Sequence, residues 1–125
     1  MQSNILKSNK NIDLDIVIIG KNEGKLLEKV FKFINVAVKN YYQFYNYYPK
    51  IFYIDGKSAD GCIKIAKKMG IESYIVKGKP NPAKGRNLGL SKCKAKYVFF
   101  LDGDNIINKN WLIKTKMSGP VNVGT

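Results

Sequence analysis

A chain of 125 residues with 45% apolar content suits one compact domain, and at this size about two thirds of the unfolded surface can be buried without a disulfide scaffold. The two cysteines, Cys62 and Cys93, lack C-x-x-C spacing and there is no histidine, which argues against structural zinc and removes any His-based acid–base or triad chemistry. The net charge of +13 arises from 22 basic and 9 acidic residues, yet Arg86 is the only arginine; base readout and bidentate phosphate clamps favour arginine, so specific nucleic-acid binding is not expected, whereas anionic membrane surfaces and phosphorylated substrates suit the charge.

Residues 1–13 read as a polar, Lys/Asn-rich tail without the apolar core of a signal peptide, and no apolar run reaches the length of a membrane span. The expectation is a cytoplasmic protein with reduced thiols, working in solution or at the membrane surface, whose domain occupies residues 14–125.

Leu14 to Ile19 is a short apolar run ending at Gly20 and predicts a buried strand. A helix is expected from about Gly24, because Leu27, Phe31, Ile34, Val38, Tyr41 and Tyr45 recur in steps of four and three along one face. The aromatic run Tyr41, Tyr42, Phe44, Tyr45, Tyr47 and Tyr48 is read mainly as helix packing, with its exposed members available to a partner or a membrane interface. After Pro49, Ile51 to Ile54 predicts a second strand that ends in Asp55. Asp60 then suits a helix N-cap, Cys62, Ile65, Ala66 and Met69 an inner stripe, and Gly70 the C-terminal cap.

Glu72 to Val76 predicts a third strand, and Asn81-Pro82 an N-cap followed by proline in the first turn of a helix that carries Arg86 and runs to about Cys93. The fourth strand is expected over Tyr97 to Leu101, followed by a short helix over 110–116 and an extended piece at 121–123. Alternating strands and helices predict an α/β fold with a mostly parallel sheet and helices on both faces. Ligands of such sheets bind beyond the carboxyl ends of the strands. Glu23, Asp55, Asp102 and Asp104 all fall at or just past those ends.

Asp102-Gly103-Asp104 closes the fourth strand with two carboxylates one residue apart. In extended backbone they project the same way and repel unless a cation lies between them. Mg²⁺ and Mn²⁺ bind through one or two carboxylates together with substrate phosphates, which resolves the conflict; a polar turn is the plainer alternative. Other phosphate and metal signatures fail. Gly56-Lys57-Ser58 lacks the first glycine of a Walker A loop, no G-x-G-x-x-G occurs, and Ile106 and Ile113 occupy ligand positions of a calcium loop.

Four segments in order, residues 15–24 (DIVIIGKNEG), 53–61 (YIDGKSADG), 86–89 (RNLG) and 97–104 (YVFFLDGD), resemble the family 2 glycosyltransferases of the GT-A fold, and the likeness covers most of residues 14–124. It implies a Rossmann-like nucleotide-sugar-binding half, a UDP- or GDP-linked donor and Mn²⁺ or Mg²⁺ as cofactor. By that resemblance Asp55 meets the base or ribose, while Glu23 and the backbone at Ile19 and Lys21 line the nucleotide pocket. Arg86 lies near the base and diphosphate, Asp102 and Gly103 approach the ribose side, and Asp104 holds the metal with Asp102. Lys57 stands where the family usually carries a small residue.

The family places its general base, and much of the acceptor site, in a C-terminal half with no counterpart among these motifs. The base is therefore expected outside this chain, which reads as a donor-binding half for an unidentified acceptor, a lipid-linked one included. An open sheet edge would favour homo-oligomers. The alternative is a non-catalytic nucleotide-binding or interaction module on the same fold.

Overall fold

A computed structural model describes residues 13–59 and 61–103. The order is β1 (Leu14–Gly20), α1 (Gly24–Tyr45), β2 (Lys50–Asp55), α2 (Cys62–Lys68), β3 (Glu72–Ile75), α3 (Pro82–Lys92) and β4 (Tyr97–Asp102). The strands form a four-stranded sheet in the order β3-β2-β1-β4, and every pairing is parallel. The α/β architecture expected from the alternating pattern is present. Asp60, Asp104 and the expected elements at 110–116 and 121–123 lie outside the described residues, as does most of the N-terminal tail.

Side-chain alternation along β1 divides the core. Leu14, Ile16 and Ile18 face one layer with Leu27, Val30, Phe31, Ile34, Val38 and Tyr41 of α1 and with Cys62 and Ala66 of α2. Val17 faces the other layer with Phe52, Ile54 and Val98, against which Leu88 and Leu90 of α3 pack. Helices therefore cover both faces, and each large α1 side chain removed from water contributes about 1.5–3 kcal/mol. The predicted face of α1 is the buried one in full. Tyr42, Phe44 and Tyr48 are exposed, while Tyr41 and Tyr45 are core residues.

Helix ends follow local chemistry with two corrections. Asn46 ends α1 in the left-handed region, its N–H bonded to Tyr42 O at 2.7 Å, before Pro49 is reached. The α2 N-cap is Gly61 (φ 81°), with no side-chain cap bond, rather than Asp60; glycine takes this φ without a Cβ clash. Cys93 is the C-cap of α3 rather than a residue within it. Asn81 caps α3 as expected, its Oδ1 accepting the Lys84 N–H at 2.8 Å.

Two glycines set the seat of α3. A Cβ on Gly89 would lie 2.6 Å from Val17 Cγ1, and one on Gly85 3.2 Å from Ile19 Cγ2. The helix thus lies close to β1 and brings its first turn toward the strand ends. At the opposite end of β1, buried Asp15 accepts the N–H groups of Lys94 and Ala95 at 3.2 and 3.3 Å, tying the α3–β4 connection to the sheet. Burial, then the nearby Asp15 carboxylate, pushes the Cys93 thiol up to about 12.

Candidate functional site

The chain moves outward from β1 to β2 to β3 and then returns to β4 on the other side of β1. Strand order reverses beside β1, and the crevice at such a reversal is where open parallel sheets receive ligands. Register places the relevant residues side by side: Gly20 is opposite Asp55, and Ile19 is opposite Asp102. Backbone bonds extend the strand ends, with Gly56 N–H to Gly20 O at 2.9 Å and Gly103 N–H to Ile19 O at 2.8 Å.

Above these ends lies a cleft of about 420 Å³. Ile19, Gly20, Lys21 and Glu23 form one wall, and Gly56 and Asp102 come from the ends of β2 and β4. Pro80, Asn81, Pro82 and Gly85 close it from the α3 side. The positive end of the α3 dipole lies at the crevice, although Pro82 has no N–H and those of Lys84 and Gly85 are bonded to Asn81, so the cleft combines a cationic side chain, a helix N-terminus and carboxylates. A wider concavity of about 720 Å³ lies on the far side of Glu23, bounded by the first turn of α1 and Ile65 of α2.

Glu23 occupies the N-cap position of α1 and is half-buried. Its carboxylate lies against two glycines: a Cβ on Gly20 would come within 2.8 Å of Glu23 Oε1, and one on Gly103 within 2.6 Å. A side chain at either position would push that carboxylate aside, and at Gly103 it would also meet Gly20 Cα at 3.3 Å.

Asp55 is buried at 2% exposure and does not line the cleft surface. Its Oδ1 accepts the Tyr53 hydroxyl at 2.8 Å and the Ser58 hydroxyl at 2.6 Å, and its Oδ2 accepts the Ser58 N–H at 2.8 Å. A carboxylate offers about four lone-pair positions, so three are used within the protein. Arg86 is exposed on α3, one residue beyond Gly85, and is not among the cleft-lining residues. Ile19, Lys21, Glu23 and Asp102 line the cleft, and buried Gly103 lies against Glu23.

Tyr53 and Asn22 were not singled out from the sequence. The period of two that puts Tyr53 on the face of Asp55 was a usable signal; the left-handed φ of 55° at Asn22 was legible only as a residue type tolerant of it.

Among the described residues no three acidic or thiol side chains gather to hold a metal. Asp102, exposed at the end of β4, supplies an oxygen ligand of the kind Mg²⁺ and Mn²⁺ prefer. One or two carboxylates suffice for such an ion when phosphates complete its shell, so the donor set fits. No described helix is long and apolar enough to cross a membrane.

The profile of Glycosyl transferase family 2 matches residues 15–115. An uncharacterized glycosyltransferase of Rickettsia bellii (strain RML369-C) is 40% identical over 60 residues, which is 46% of this chain and 9% of that protein. Among solved structures, glucosyl-3-phosphoglycerate synthase from Mycobacterium tuberculosis in complex with Mn²⁺, uridine diphosphate and phosphoglyceric acid matches with a TM-score of 0.74 at 16% identity, over 97% of this chain and 44% of that one. Residues 1–349 of S. aureus TarS in complex with UDP match with a TM-score of 0.67 at 17% identity, over 84% and 31%. Mannosyl-3-phosphoglycerate synthase from Rubrobacter xylanophilus gives 0.64 at 18%, over 82% and 34%. The chain spans less than half the length of each, and at these identities the structural likeness is one of fold.

Proposed function

Because the chain belongs to glycosyl transferase family 2, we propose that its cleft binds a nucleoside-diphosphate sugar together with a divalent cation and presents the sugar for transfer to an acceptor hydroxyl. The observation that carries this reading is the convergence of Glu23, Asp102 and the first turn of α3 on one crevice at the strand-order reversal. Solved neighbours carry UDP, which makes a uridine-linked donor the first candidate and a guanosine-linked one the alternative.

In this reading Asp102 and Asp104 hold Mn²⁺ or Mg²⁺. The ion would supply charge compensation for the diphosphate as it leaves the sugar. Lys21 adds positive charge at the cleft wall, and the α3 N-terminus favours the same anion. Gly103 leaves the space in which the Glu23 carboxylate lies at the ribose side. Asp55, buried behind the cleft, acts on the nucleoside side through the Ser58 loop it holds, and Ile19 packs beneath. Arg86, on the exposed side of α3, adds positive charge near the rim. The +13 charge supports attraction of phosphorylated acceptors or an anionic membrane face, consistent with a cytoplasmic site of action.

Thermal denaturation tests this directly. A ligand that binds only the folded state at one hundred times its Kd adds about 2.7 kcal/mol of stability. UDP with Mn²⁺ is expected to raise Tm by several degrees, and uridine without phosphates to raise it little. Equal shifts with uridine and UDP, or no shift with either UDP or GDP, would reject the reading.

A further inference from the structure

Around Asp55 the hydrogen bonds form a chain from the core to the surface loops. Tyr53 is fully buried, its ring edge-on to Phe31 of α1 with centroids 5.6 Å apart and planes at 81°. Its hydroxyl lies at the carboxyl end of β2, donates to Asp55 Oδ1, and would sit 3.3 Å from a Cβ on Gly20. Ser58 donates to both Asp55 oxygens. Ser58 Oγ in turn accepts the Asn22 N–H at 2.8 Å, and Asn22 Oδ1 accepts the Ala59 N–H at 2.7 Å.

Two residues in this arrangement adopt left-handed backbone, Asn22 at φ 55° and Lys57 at φ 63°. Asparagine tolerates that conformation, but for Lys57 it costs about 1–2 kcal/mol and persists only where neighbouring contacts over-determine it. Here those contacts are the bonds that run through Asp55 and Ser58. Burial, and then the bond to Asp55, raises the Tyr53 phenol above its ordinary range, so it remains a donor well into alkaline pH.

We propose that Tyr53 is a positioning residue. Through Asp55 and Ser58 it holds loop 56–59 against the Asn22 turn, so the two loops beside the cleft are set before a ligand arrives. The order of the loops stands on these contacts alone; its effect on nucleotide affinity rests on the function proposed above.

Residue-resolved amide exchange on the chain separates the two. In Tyr53→Phe the amides of Asn22, Ser58 and Ala59 are expected to exchange about tenfold faster, while Val17 and Ile18 in β1 keep their protection. Ser58→Ala, a milder change made from the loop side, shifts the same amides in the same direction. Tyr74→Phe, which removes a tyrosine–carboxylate bond to Glu72 on β3, leaves them unchanged. The dissociation constant for UDP rises about tenfold in Tyr53→Phe, equivalent to about 1.4 kcal/mol. Unaltered loop exchange in Tyr53→Phe, with Ser58→Ala showing that the loop amides can respond, would overturn the proposal, as would uniform acceleration through the sheet, which would make Tyr53 a core residue only. Faster loop exchange in a chain that binds no UDP would reject the nucleotide reading and leave the hold of Tyr53 on the loops supported.

Discussion

Gly103 sits where a side chain and a neighbouring backbone compete for the same space. A Cβ there would approach Glu23 Oε1 to 2.6 Å and Gly20 Cα to 3.3 Å. Gly103→Ala is therefore expected to displace the Glu23 carboxylate, weakening UDP binding by about tenfold, or about 1.4 kcal/mol, with a Tm change of only a few degrees. Titration of the variant checks this, and an unchanged affinity would remove Glu23 from the donor site. Which residue types stand at the strand ends was legible in the sequence. How far each is exposed was not: Asp55 reads as a strand-end acid that meets the base or ribose, and only the fold reveals Tyr53 and Ser58 consuming most of its acceptor capacity. Arg86 reads as the one arginine of a lysine-rich chain, but its helix phase puts it on the exposed side of α3.

Among the elements, α3 owes its place to Gly85 and Gly89, and the two predict opposite balances. Alanine in place of glycine gains about 0.5–1 kcal/mol of helix propensity. At Gly89 the new methyl would meet fully buried Val17 at 2.6 Å, and overpacking of about 1–3 kcal/mol outweighs the gain. At Gly85 the contact with Ile19 is 3.2 Å, so the two effects nearly cancel. Urea denaturation should show Gly89→Ala less stable by about 1 kcal/mol and Gly85→Ala close to wild type; equal midpoints would mean that α3 can slide on the sheet. The strands and α1 were legible because apolar period and length agreed. The N-cap of α2 was not, because Asp60 carries the usual capping side chain while Gly61 carries the backbone geometry that the turn requires.

For the molecule as a whole, buried weak acids set the alkaline limit. Burial raises the Tyr41 and Tyr53 phenols, and burial with Asp15 raises Cys93 from 9.0 to about 12. A raised folded-state pKa means that the native state holds the proton more tightly. The stability it contributes is complete below the unfolded pKa, near 9.0 for the thiol and 10.0 for the phenols, and is lost as pH rises toward the folded values. The urea midpoint is expected to be level from pH 7 to 9 and to fall above that. The thiol's unfolded value lies below that of the phenols, so the first part of the fall reports Cys93. A level midpoint up to pH 11 would show these groups to be wet.

The parallel topology followed from the alternation of elements, but the convergence of β1, β2 and β4 on one crevice needed the strand order, which local pattern does not encode. The central claim is that this crevice receives a nucleoside diphosphate with a cation. Calorimetric titration of UDP, with Mn²⁺ and with chelator, into wild type and Asp104→Ala tests it most directly. Binding that requires Mn²⁺ in wild type and is lost in Asp104→Ala is the predicted result; binding indifferent to both metal and substitution, or none at all by the folded chain, would contradict it.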